Sequence, residues 1–106
     1  MKTKNNNSLT KAYRVYSKAI QNHRRILNDR FKVKEIGLFG SITRGDQKRR
    51  SDIDILVDFD EIPDLLKFIE LEIYLEKILK RKVDLVDKEG LRRELRDGIL
   101  KDVVYV

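Results

Sequence analysis

The sequence predicts an α+β fold, a small mixed sheet with helices packed on it in the manner of an α/β sandwich. Three observations carry this. Helical periodicity alternates with short branched and apolar runs in the order helix, strand, short helix, strand, helix, strand, helix, strand. The run Ile53 to Phe59 is apolar almost throughout, as a strand covered on both faces must be. A length of 106 residues leaves room for one core and for no second substrate-binding domain.

Residues 1–8 are polar and Asn-rich and are expected to form a flexible tail, with a single domain over 9–106. Ser8 or Thr10 can cap a helix, and Ala12, Val15, Tyr16, Ala19, Ile20, His23, Ile26 and Leu27 follow at three- and four-residue steps. One helix from about Leu9 to Asp29 is therefore expected. His23, the only histidine, lies on its apolar stripe without a motif partner and reads as structural. Val33 to Phe39 is a strand ended by Gly40-Ser41, and Asp46 to Arg50 a polar loop in which Lys48, Arg49 and Arg50 read as solvated. Ile53 to Phe59 is the second strand. Pro63 suits a first helical turn, and the helix it opens runs to about Lys80. That helix has an apolar surface broad enough to meet the sheet on one side and another helix or a partner chain on the other. Val83 to Val86 is a third strand, Leu91, Leu95 and Ile99 mark a last helix weakened near Gly98, and Val103 to Val106 a terminal strand.

Composition narrows the chemistry. Hydrophobic residues are 41% and charged residues 40% of the chain, enough for a core beneath a densely ionic surface. Its Lys, Glu and Arg content fits a thermophilic source. The absence of cysteine excludes disulfides, thiolate nucleophiles and thiolate zinc sites, and a single histidine excludes an imidazole cluster. A bound metal must then be held by carboxylates, which selects a hard cation such as Mg²⁺. No run approaches the roughly 20 apolar residues of a membrane span, and no signal-like apolar stretch opens the chain, so a cytoplasmic location is expected. The net charge of +6 attracts polyanions or an acidic partner but is spread among both signs.

Asp52 and Asp54 are one residue apart in a strand and so share a face. Two carboxylates that close repel unless a cation lies between them or one keeps its proton. Asp84 repeats the pattern on another strand and completes a triad if the two strands are neighbours. Three carboxylates with triphosphate oxygens can hold two Mg²⁺ ions about 4 Å apart. Each Asp read alone could equally be an edge charge that discourages sheet aggregation. Gly40 lets phosphate oxygens approach the main chain, Ser41 can cap the next helix or offer its hydroxyl, and Arg44 can pair with a phosphate or with an aspartate.

Gly40-Ser41, ten intervening residues, then Asp52-Ile53-Asp54 resembles the signature of the nucleotidyltransferase superfamily with the DNA polymerase beta-like palm. The resemblance is closest to its minimal members, the MntA-like (MNT) antitoxins that pair with HEPN-domain toxins. It extends over Gly-Ser-x-x-Arg-Gly, Ser-Asp-x-Asp-x-x-Val, the later Val-Asp-Leu-Val and the Leu-Arg-x-x-Leu-Arg-x-x-Ile-Leu ending. The long N-terminal helix matches no part of the motif. The resemblance implies the nucleotidyltransferase fold, Mg²⁺ on Asp52, Asp54 and Asp84, and nucleotide phosphates held by Gly40 and Ser41. It implies the antitoxin of a type VII-like HEPN/MNT toxin–antitoxin module, an enzyme moving AMP from ATP to a tyrosine hydroxyl of its cognate HEPN RNase toxin in a hetero-oligomer. The competing classes are a non-catalytic antitoxin acting by contact, a small-molecule nucleotidyltransferase, and a nucleic-acid binder resting on charge alone.

Overall fold

A computed structural model describes residues 11–46 and 51–106. The expected tail, the first residues of the first helix and the Lys48 to Arg50 loop lie outside the described residues. Two helices, α1 (Lys11–Asn22) and α2 (Arg24–Phe31), replace the single helix expected to Asp29. The break is made by His23. Its Nδ1 donates to the Ala19 carbonyl at 2.8 Å, the acceptor its own amide would take in an unbroken helix, and the amide turns instead to Ile20 O at 3.0 Å. A side chain has out-competed the backbone for one carbonyl, and the helix tightens locally. The ring meets Tyr74 edge-on at 5.9 Å between centroids, which agrees with a structural role.

The strands β1 (Val33–Phe39), β2 (Ile53–Phe59), β3 (Val83–Asp87) and β4 (Val104–Tyr105) form one sheet in the order β3-β2-β1-β4. β1 is antiparallel to both its neighbours, and β2 and β3 run parallel. The parallel pair needs a crossover, supplied by α4 (Leu65–Leu79). Asp64, not Pro63, opens that helix: its carboxylate accepts from the Lys67 amide at 2.8 Å, so Pro63 stands just outside the first turn.

Period two decides which face each strand residue serves. Ile53, Ile55 and Val57 are fully buried against the helices, while Asp54, Leu56 and Asp58 turn to the other face. A bulge between Val33 and Glu35 lets Val33 and Ile36 both reach the core although they are three residues apart. Onto this layer pack Tyr13, Ile20, Leu27 and Phe31 from α1 and α2, and Leu71, Leu75 and Leu79 from α4. The rest of the α4 apolar surface stays outside: Ile62 just before it and Leu65, Leu66, Ile69 and Ile73 on it are exposed.

The last helix, α5 (Arg93–Asp102), begins two residues after Leu91, which follows a 3-10 turn over Lys88–Gly90. It continues through Gly98 without interruption.

Candidate active site

β1 ends in a turn that only glycine can make. Gly40 has φ +77° and ψ −146°, and a Cβ at that position would overlap Asp54 Oδ2. Glycine is needed both for the backbone path and for room beside the carboxylate. The Gly40 carbonyl accepts from the Thr43 hydroxyl at 3.0 Å and from the Thr43 and Arg44 amides at 3.1 Å each, which closes α3 (Ser41–Arg44) into a single tight turn. Ile42 anchors that turn in the core, and half-buried Ser41 opens it.

Sheet register brings the carboxylates to this turn. Asp54 lies directly opposite Asp84 in the parallel β2–β3 pair, and opposite Phe39 in the antiparallel β1–β2 pair, one residue before Gly40. The Asp54 and Asp84 carboxyls are in hydrogen-bonding contact. Asp52, just ahead of β2, is exposed on the same side by alternation. Burial, then repulsion from Asp84 and Asp52, pushes the Asp54 carboxyl up to about 6, against which the Arg44 charge is a smaller opposing influence. The expected site residues Gly40, Ser41, Asp52, Asp54 and Asp84 thus meet at one end of the sheet.

Arg44 is engaged elsewhere. Its Nη1 lies 3.3 Å from Asp102 Oδ2 on α5, and its Nε 3.4 Å from Asp46 Oδ2. These hydrogen bonds, Asp102 first, raise the guanidinium pKa further. Both pairs are exposed, and exposed pairs hold weakly, so a polyphosphate can compete for the guanidinium.

Two further contacts were invisible to periodicity and motif. Asp102 reaches Arg44 across 58 residues of chain. Arg81 donates from Nη1 to the Tyr16 hydroxyl at 2.9 Å and from Nη2 to the Ser51 carbonyl, the residue before Asp52. The N-terminal helix, for which the motif has no place, is thereby tied to the start of the carboxylate strand.

The donor set suits a hard divalent cation: oxygen ligands only, with excess negative charge that makes one carboxyl keep its proton to near-neutral pH. Among the described residues no three metal-ligating side chains close into a cage. The tight pair is Asp54 with Asp84, and Asp52 stands beside it. A cavity of about 420 Å³ opens from this point between Gly40, Arg44 and Asp54 on one side and α5 on the other. Among the described residues no helix is long and apolar enough to cross a membrane.

Residues 20–106 match the model of the nucleotidyltransferase domain family. The protein adenylyltransferase MntA of Thermococcus cleftensis is 57% identical over 84 residues, 79% of this chain and 85% of the relative. A crystal structure of a toxin–antitoxin complex with AMP-PNP superimposes with TM-score 0.69 at 32% identity, over 80% of this chain and 69% of the matched one. A tri-AMPylated Shewanella oneidensis HEPN toxin in complex with MNT antitoxin superimposes with TM-score 0.66 at 26% identity, over 88% and 70%. A glycine turn seated on a carboxylate strand, in this sheet order and over this span of the chain, has one consistent reading: the chain belongs to the nucleotidyltransferase domain family and has its polymerase beta-like fold.

Proposed function

We propose that the protein is a protein adenylyltransferase that moves AMP from ATP to a tyrosine hydroxyl of a HEPN-domain toxin, and so serves as that toxin's antitoxin. The observation that carries this is the placement of Asp54 opposite Asp84 and against Gly40, so that a carboxylate pair with uncompensated charge borders a turn able to receive phosphate. The MntA relative and the AMPylated HEPN toxin complex support the choice of AMP as the transferred group and of a HEPN toxin as the protein that receives it.

In the reaction the phenolic oxygen attacks the α-phosphorus, the bond from that phosphorus to the pyrophosphate oxygen breaks, and the phenolic proton leaves to solvent. Asp52, Asp54 and Asp84 would hold Mg²⁺, which when bound neutralises the triphosphate and activates the attacking oxygen. Gly40 and Ser41 cradle the phosphates, and Arg44 exchanges Asp102 for them. Arg81 and Tyr16 hold the Ser51–Asp52 segment where the carboxylates converge. The acceptor comes from the partner, for which the exposed row Leu65, Leu66, Ile69 and Ile73 offers an apolar surface.

The test is incubation with Mg²⁺, each nucleoside triphosphate and a candidate HEPN-domain toxin, followed by mass spectrometry of the toxin. AMP adducts on a tyrosine are expected, and none with Asp54→Asn. Toxin neutralisation without any adduct would make the protein an antitoxin by contact alone.

A further inference from the structure

One peptide unit at the mouth of the carboxylate strands is held from both sides. The Lys82 carbonyl accepts from the Ile53 amide at 2.9 Å, at the first register pair of β2 and β3. The carbonyl and amide of a trans peptide point opposite ways, so the Val83 amide is turned off the edge of the sheet, of which β3 is an outermost strand. No strand meets it there. Glu76 does: its Oε2 accepts from Val83 N at 3.1 Å, from the last turn of α4. Lys80 makes this reach possible, because its left-handed conformation (φ +57°) stops α4 and turns the chain back toward the sheet. Ile53 and Val83 immediately precede Asp54 and Asp84. The peptide that Glu76 holds is therefore the one that sets the register in which the two carboxylates meet.

We propose that Glu76 is a positioning residue for the cation site: by holding the Lys82–Val83 peptide it keeps β3 where Asp84 stands against Asp54. The inference rests on Asp54 and Asp84 as holders of the divalent cation, and extends that reading to a side chain that touches neither carboxylate. β3 depends on such a hold. It is five residues long, it has a neighbour on one side only, and it is delivered by a crossover from α4, the helix to which Glu76 belongs. A small cation that demands near-ideal octahedral geometry is sensitive to any slackening between the two strands. Partners of this kind, one step behind the ligands, are known to govern metal affinity elsewhere. The competing use of Glu76 is to cover an exposed sheet edge against pairing with another chain, and that use predicts no effect on the cation.

NMR of the full chain titrated with Mn²⁺, whose unpaired electrons broaden the signals of nearby amides, tests this. In the wild type the Asp54 and Asp84 amides should broaden together. Glu76→Gln keeps an acceptor oxygen at the same reach and should need Mn²⁺ within about twofold of the wild type. Glu76→Asp keeps the charge but stops one methylene short of the Val83 amide. It should need about tenfold more Mn²⁺, with Asp84 lagging behind Asp54. Ile20→Val, which lowers stability through the core and leaves the strand mouth alone, should bind Mn²⁺ as the wild type does. Wild-type binding by Glu76→Asp overturns the proposal. So does the reverse ranking, with Asp intact and Gln weakened, which would make charge and not reach the cause, or an equal loss in Ile20→Val, which would reduce the effect to stability. A wild type in which neither Asp54 nor Asp84 broadened would remove the cation reading itself, and this inference with it.

Discussion

Replacing Asp54 by asparagine is expected to stabilise the metal-free protein while abolishing transfer. The folded state holds the Asp54 proton to about pH 6, whereas an unfolded chain releases it near pH 3.9. Between those values the folded state binds more protons, so stability falls as pH rises through the window from about 4 to about 6 and stays low above it. A difference of about two units at 1.36 kcal/mol each sets an upper bound of about 3 kcal/mol. Asp54 is only half-buried, and solvent screening reduces that to about 1–2 kcal/mol. Asparagine cannot ionise and can still donate to Asp84. Asp54→Asn should therefore gain about 1–2 kcal/mol at pH 8, several degrees in Tm for a domain of this size, and close to nothing at pH 4. Urea denaturation of both proteins at the two pH values with a chelator present measures this. A gain equal at both pH values, or a loss at pH 8, would refute the claim that burial, with carboxylate crowding behind it, raises the group.

Gly40→Ala should cost about 1–3 kcal/mol from the positive φ alone and displace Asp54, so that transfer falls by about two orders of magnitude. Denaturation and AMP-transfer assays read the two losses separately. Arg81→Lys keeps the charge but loses the fork that joins Tyr16 to Ser51. Turnover should drop about tenfold for a stability cost of about 1 kcal/mol, and full turnover in a destabilised variant would mark the bridge as structural only. Leu66→Glu, on the exposed row of α4, should leave unfolding within about 0.5 kcal/mol and weaken capture of the partner toxin in a pull-down or titration.

Local pattern was enough to place the parts of the site on their elements. A period of two puts Asp52 and Asp54 on one face whatever lies beside them, and Gly40-Ser41 ends a strand because the chain must turn there. The apolar continuity of Ile53 to Phe59 announced a strand inside the sheet, and Leu56 and Asp58 are indeed buried on its second face. Local pattern could not say which strands are neighbours. Asp84 joins Asp54 only because α4 carries the chain over to a parallel β3 in one particular register, and a shift of one residue would have turned Asp84 to the helices. The division of the first helix was hidden for a related reason: His23 fits the apolar stripe at helical spacing, and only the folded contacts show its ring taking the Ala19 carbonyl. Asp102 on Arg44 and Arg81 on Tyr16 are meetings of side chains far apart in the chain. The sequence by itself determined which residues could do this chemistry and on which face each would stand. Tertiary structure decided which of them meet, because hydrophobic periodicity specifies a residue's face and not its neighbours across the sheet.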